Sequence, residues 1–201
     1  MVRTLANLPL DGGCIVFNFT NTVNSWLQIP DFDYLKDYRD LLAWSEKVNL
    51  LDRKRLKLIE AYLETDERNG DRVFKKLIRM RELLHSFFST IAKGNSPGAD
   101  QVKSFNAVLA QAHSMIKITI VSGETKVVFV DREVSLEEPL WKIVHSAYEI
   151  LTEANFDRIR ECPGCGWLFL DTSKNGKRRW CNMQVCGSND KALRYYYRSK
   201  S

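Results

Sequence analysis

The sequence predicts a mainly α-helical protein with one β-hairpin (α+β), built as a multihelical body and a small C-terminal treble-clef-like zinc finger. Three observations predict it. Apolar residues recur at helical spacing from about residue 33 to 112 and again from 140 to 151. That period gives way to β-branched runs between 115 and 131. Four of the five cysteines fall near the end, as Cys162-x2-Cys165-x15-Cys181-x4-Cys186. The 201 residues suit one ordinary domain plus a small module, and the boundary is expected between 1–156 and 157–201.

Taken in order, residues 13–20 form a short apolar stretch containing Phe17 and Phe19. The Asn/Thr-rich run 18–24 suits caps or turns; within it Asn18 and Asn21 are candidates for lining a ligand pocket. Cys14 lies in an apolar string and reads as a buried small hydrophobe. A helix is expected from Asp33, with Tyr34, Leu35, Tyr38, Leu41 and Leu42 on one face. Asp52 caps a second, carrying Leu56, Ile59 and Leu63 and stopping at Asn69-Gly70. A third runs from Asp71 to Gly94, and a fourth from Ser96-Pro97 to Ala112.

Residues 115–121 and 126–131 pair as a hairpin around Ser122–Thr125. Ser135-Leu-Glu-Glu138 reads as a capping box for a helix reaching Asn155. In the finger, Trp167–Leu170 is a strand, Ser173–Gly176 a turn and Arg178–Cys181 the return strand. Gly187-Ser188 starts the last helix. His85, His113 and His145 lie in separate helical segments without metal spacing.

Two short Cys loops separated by about 12–20 residues are the usual sequence form of a tetrahedral zinc site. Cys162, Cys165, Cys181 and Cys186 are therefore expected to hold one structural Zn2+. Four thiolates close the coordination shell and leave no position for a reactive water, so the metal folds the module. Neither a phosphate loop nor a nucleophile elbow nor a His-Glu-x-x-His motif is present, and the protein is expected not to be an enzyme. No apolar run approaches the roughly 20 residues of a membrane span, and the first residues are too polar for a signal peptide. Cysteines in metal spacing fit a reducing compartment, so the expected location is the cytoplasm.

Charge is unevenly placed. Residues 157–201 hold ten Lys/Arg against four Asp/Glu, a net +6, while the other residues hold twenty against twenty-one, a net −1. Such asymmetry marks a polyanion-binding element on a neutral body. Candidate nucleic-acid contacts are Lys177, Arg178 and Arg179, with Lys191, Arg194 and Arg198 at i, i+3, i+7 on one helix face; Lys174 and Lys200 add charge. Double-stranded DNA is the expected partner, though basic and aromatic residues serve RNA as well. A homodimer is compatible with these features, and no membrane partner is expected.

The finger resembles the CGNR zinc-finger family, whose members carry it behind an ABATE domain. The resemblance rests on Cys162-x-x-Cys165, Phe169-Leu-Asp171-Thr-Ser173, Arg179-Trp180-Cys181, Met183 and Cys186-Gly187, with Phe19-Thr-Asn-Thr22 similar to the Phe-x-Asn-Thr opening of the ABATE domain. It implies a bacterial DNA-binding transcription regulator. At the namesake motif this chain carries Ser188-Asn189 where the family has Asn and Arg. That departure leaves room for an alternative, a zinc-stabilised protein-interaction or dimerisation module that meets an acidic partner.

Overall fold

A six-residue helix with apolar side chains nearly all round has to be enclosed, and this settles where the N-terminal stretch goes. The computed structural model describes residues 2–130 and 133–199. Along them the chain forms α1 (Ile15–Thr20), α2 (Tyr38–Lys47), α3 (Arg53–Thr65), α4 (Glu67–Ala92), α5 (Ala99–Ser114), β1 (Ile116–Val121), β2 (Glu124–Phe129), α6 (Glu138–Glu153), β3 (Ile159–Glu161), β4 (Leu168–Leu170) and α7 (Ser188–Arg198). Helix α1 packs among α4, α6 and β4. Phe17 meets Phe88 of α4 edge to face at 5.1 Å, and Phe19 meets Trp44 of α2 at 5.5 Å. All four rings are among the fully buried side chains, each contributing about 1.5–3 kcal/mol by leaving water.

Cap chemistry places the helix starts and moves several predicted boundaries. Helix α2 begins after Asp37, whose carboxylate accepts the Asp40 amide at 2.9 Å, and not at Asp33. Asp33 instead bridges to Val23 and forms a two-pronged ion pair with the buried Arg81 of α4, which also donates to Thr22 Oγ1 at 2.8 Å. Asp52 caps α3 as predicted. The Asn69-Gly70 stop signal is overridden: α4 starts earlier, on Asp66, and runs 26 residues. Gly70 lies in its first turn, where a Cβ would sit 2.3 Å from Leu63 Cδ1. The glycine serves close packing of α3 on α4.

Helix α5 starts after Gly98, not on Ser96-Pro97, with the Gly98 amide donating to the Gln101 side chain at 3.0 Å. The β1–β2 pair is antiparallel from Ile116↔Phe129 to Val121↔Glu124. Ser122 and Gly123 turn it with φ of 53° and 81°, the two-residue geometry that matches strand twist. The predicted box before α6 does not close. Ser135 Oγ accepts the Glu137 amide, but the Glu138 carboxylate is buried against the Arg55 guanidinium of α3. A buried charge is tolerated there because it is paired.

Strand β4 pairs upstream, with β3 (Ile159↔Leu170 to Glu161↔Leu168), and the predicted return strand 178–181 does not form. The Arg178 amide goes to the Asp171 carboxylate at 2.9 Å instead of to a ladder. Ile159, Cys162, Trp167, Leu168, Phe169 and Cys181 belong to the same continuous apolar core as Phe17, Trp44 and Phe88. The finger and the body share one interior.

Candidate metal centre and nucleic-acid interface

The cysteine cluster is assembled by two turns. Before the first, the Cys162 amide donates to Trp167 O at 2.8 Å. Within it, the Gly166 amide folds back on Cys162 O at 2.8 Å. Gly166 has φ +74°, and a Cβ there would lie 2.8 Å from Trp26 Cβ, so only glycine fits this corner. At the second turn, Asn182 Oδ1 accepts the amides of Gln184 and Val185, starting a π-helical turn over 183–187 that runs straight into α7.

Cys162, Cys165, Cys181 and Cys186 present ligand atoms all within 4.8 Å of one another. Sγ of Cys181 lies 3.5 Å from Cys165 and 3.7 Å from Cys186. A zinc ion with Zn–S bonds of about 2.3 Å has tetrahedral edges of roughly 3.8 Å. The sulfurs therefore fit zinc. The neighbouring Cys162 sulfur, with burial adding to it, drives the Cys165 and Cys181 thiols upward; a divalent cation supplies the positive charge that lets all four ionise. Cys14 takes no part: burial pushes its thiol up to about 12, which leaves it unreactive at neutral pH.

The cluster is pinned to the body by backbone contacts that the sequence did not disclose. Asn21, buried at the end of α1, donates Nδ2 to Leu168 O at 2.8 Å and accepts the Leu168 amide on Oδ1 at 3.0 Å. The Trp26 amide and Ser25 Oγ both donate to Cys165 O, and Trp167 Nε1 donates to Val23 O at 2.8 Å. His85 of α4 stacks on Trp26 at 4.1 Å and reaches Gly166 O at 2.9 Å. Burial lowers its basicity, and a neutral ring with Nε2–H facing the carbonyl satisfies the contact. Asn18 accepts the Gly12 amide at 3.0 Å. The two asparagines expected at a ligand pocket are thus occupied with backbone groups, Asn21 as the hinge pin of the finger. His113 and His145 face each other edge to face at 5.6 Å beside Tyr148.

The basic residues divide into two kinds. Arg178 is half-buried: its guanidinium lies 4.6 Å from the Phe169 ring centroid and donates to the carbonyls of Trp180, Cys181 and Asp11. It ties the second cysteine turn to the first residues of the body. Lys177, Arg179, Lys191, Arg194 and Arg198 are exposed. Arg179 stacks on Trp180 at 4.8 Å, and Arg194 pairs with Asp190 at 2.9 Å. Helix α7 buries none of its residues, leaving Leu193 and Tyr195–Tyr197 open beside the cations. Lys200 lies outside the described residues.

Asp171 organises the turn between the halves. Burial alone would raise its pKa, but the Ser173 hydrogen bonds and the Arg178 amide outweigh it and hold the carboxyl below its ordinary value. Ser188 and Asn189 open α7, with Ser188 Oγ donating to Met183 O at 3.3 Å. Of the residues that sequence reasoning missed, Arg158 and Arg160 stand out: from β3 and its approach, Arg158 donates to Ser173 O at 2.6 Å and Arg160 to Gly176 O at 3.2 Å. Their even spacing along a short strand was the available signal.

Comparison with protein-family models finds two matches. The ABATE model, described as "Putative stress-induced transcription regulator", covers residues 13–154, and the CGNR zinc-finger model covers residues 158–199. No curated protein matches the chain.

Proposed function

The chain belongs to the ABATE family and carries a CGNR zinc finger behind that domain, and from this we propose that it is a transcription regulator that grips duplex DNA with the exposed cations of its finger. The observation that carries the reading is the concentration of Lys177, Arg179, Lys191, Arg194 and Arg198 on one metal-ordered segment with a net +6. In this reading one Zn2+ holds the four thiolates and takes no part in chemistry, so the protein is a binder and not an enzyme. Arg178 serves the interior of the finger, and its charge does not count among the DNA contacts. A cytoplasmic location suits thiolates that must stay reduced.

Zinc-loaded protein should bind random duplex DNA with log affinity falling steeply in log salt, by about 0.9 per phosphate neutralised. Charge reversal at Lys177, Arg179 and Arg194 together should abolish binding while leaving zinc content unchanged. Fluorescence anisotropy at several salt concentrations measures both. Absent or salt-independent binding overturns the reading.

One observation favours a second reading. Leu193 is 57 % and Tyr195 73 % exposed on a helix that buries nothing, which suits a protein partner with an acidic face. Stoichiometric capture of such a partner, with no nucleic acid retained, would support it.

A further inference from the structure

Beside the cysteine cluster, β3 and the segment after Gly176 enclose a cleft of about 450 Å3 whose walls include Arg160, Lys177 and Arg179. Its one acidic neighbour, Glu161, is already neutralised, since its carboxylate pairs with Lys93 of α4 at 3.2 Å and accepts from Ser89. Arg178 lines the same cleft but sends its guanidinium to the Trp180, Cys181 and Asp11 carbonyls. The Arg160 guanidinium is anchored through Nη2 to Gly176 O, while its Nε is buried with no partner. That Nε–H is too enclosed for a ligand in the cleft to reach, so an anion meets the rest of the guanidinium, whose planar donors match the oxygens of a phosphate. Arg179 is held in place by its stack on Trp180, and Lys177 adds a mobile point charge at the rim.

We propose that this cleft binds one phosphate group, with Arg160 as the central anion-binding residue and Lys177 and Arg179 closing over it. Resting on the DNA reading above, the phosphate is a backbone phosphodiester, so that Arg160 before the first cysteine turn and Lys177 and Arg179 after it grip the same strand. Because Arg160 also holds Gly176, a bound phosphate fixes the turn between β4 and the second cysteine pair.

The test uses the zinc-loaded full chain, Arg160→Gln, and the double variant Lys177→Gln/Arg179→Gln, which removes the rim without touching a backbone anchor. Two readouts run in parallel: the salt dependence of duplex binding, and the melting temperature in inorganic phosphate against chloride at equal ionic strength. Zinc content is checked in every variant. The expected result is a salt slope reduced by about one in Arg160→Gln, uniformly across duplex sequences, together with loss of a saturable phosphate-dependent rise in melting temperature. The double variant should weaken both in the same direction. Duplex binding with a slope unchanged in Arg160→Gln but reduced in the double variant overturns the cleft and leaves the DNA reading standing; a slope unchanged in all variants overturns both. A saturable phosphate effect lost in Arg160→Gln, in a protein that binds no DNA, upholds the anion site with a small phosphate-bearing ligand and overturns the DNA reading. Neither effect in the wild type overturns both.

Discussion

Asn21 shows how much a single amide can hold. Its side chain mimics a neighbouring strand, giving and taking one hydrogen bond with the Leu168 backbone across 147 residues of chain. Asn21→Ala leaves a buried amide and a buried carbonyl unpaired, at about 1–3 kcal/mol each, and should lower the denaturation midpoint of the zinc-loaded protein accordingly. Asn21→Asp, which can accept but not donate, should recover none of the carbonyl's loss. A midpoint unchanged in Asn21→Ala would mean the docking contact carries no weight. In the sequence, an Asn/Thr cluster reads as capping or as a polar pocket, because nothing local reveals a partner so far away. The same limit hid the difference between Arg178 and Arg179: adjacent arginines carry the same charge, and only the fold shows that one faces carbonyls and the other solvent.

Among the elements, what was legible followed local chemistry and what was not followed packing. The Asp52 cap, the β1–β2 hairpin and the apolar faces of α4 and α6 are written in neighbouring residues, and they form where the pattern places them. Helix α1 was opaque because six residues with apolar groups on most faces carry no period. The strand pairing of the finger was misread because Asp171 captures the Arg178 amide that a return strand would have used. Gly70 is the sharpest case, a stop signal by composition and a contact point in fact. Alanine in place of glycine ordinarily stabilises a helix by about 1 kcal/mol. Here Gly70→Ala should instead destabilise by about 1–3 kcal/mol through overpacking against Leu63, read as a lowered thermal midpoint. Combining it with Leu63→Val should recover part of that loss. A stabilised Gly70→Ala protein would show that the Leu63 side chain swings aside at little cost.

At the scale of the whole molecule, a common core makes the metal a matter for the body as well as the finger. Structural zinc contributes on the order of 10 kcal/mol or more to small folds. Chelation should therefore lower the melting of the α-helical signal and expose Trp26 and Trp167 together, in one transition followed by far-ultraviolet dichroism and tryptophan fluorescence. If the helices melt at an unchanged temperature after zinc removal, the two parts are energetically separate. The Asn21, Val23 and Trp26 contacts to residues 165–168 also bear on biogenesis. Domains generally fold from the N-terminus as synthesis proceeds, but here α1 and the strap after it have no finished seat until the cysteine turns have left the ribosome. Helix α1, made before the cysteine turns, settles after them. Metal binding at the cysteine turns would then lock in residues synthesised long before them.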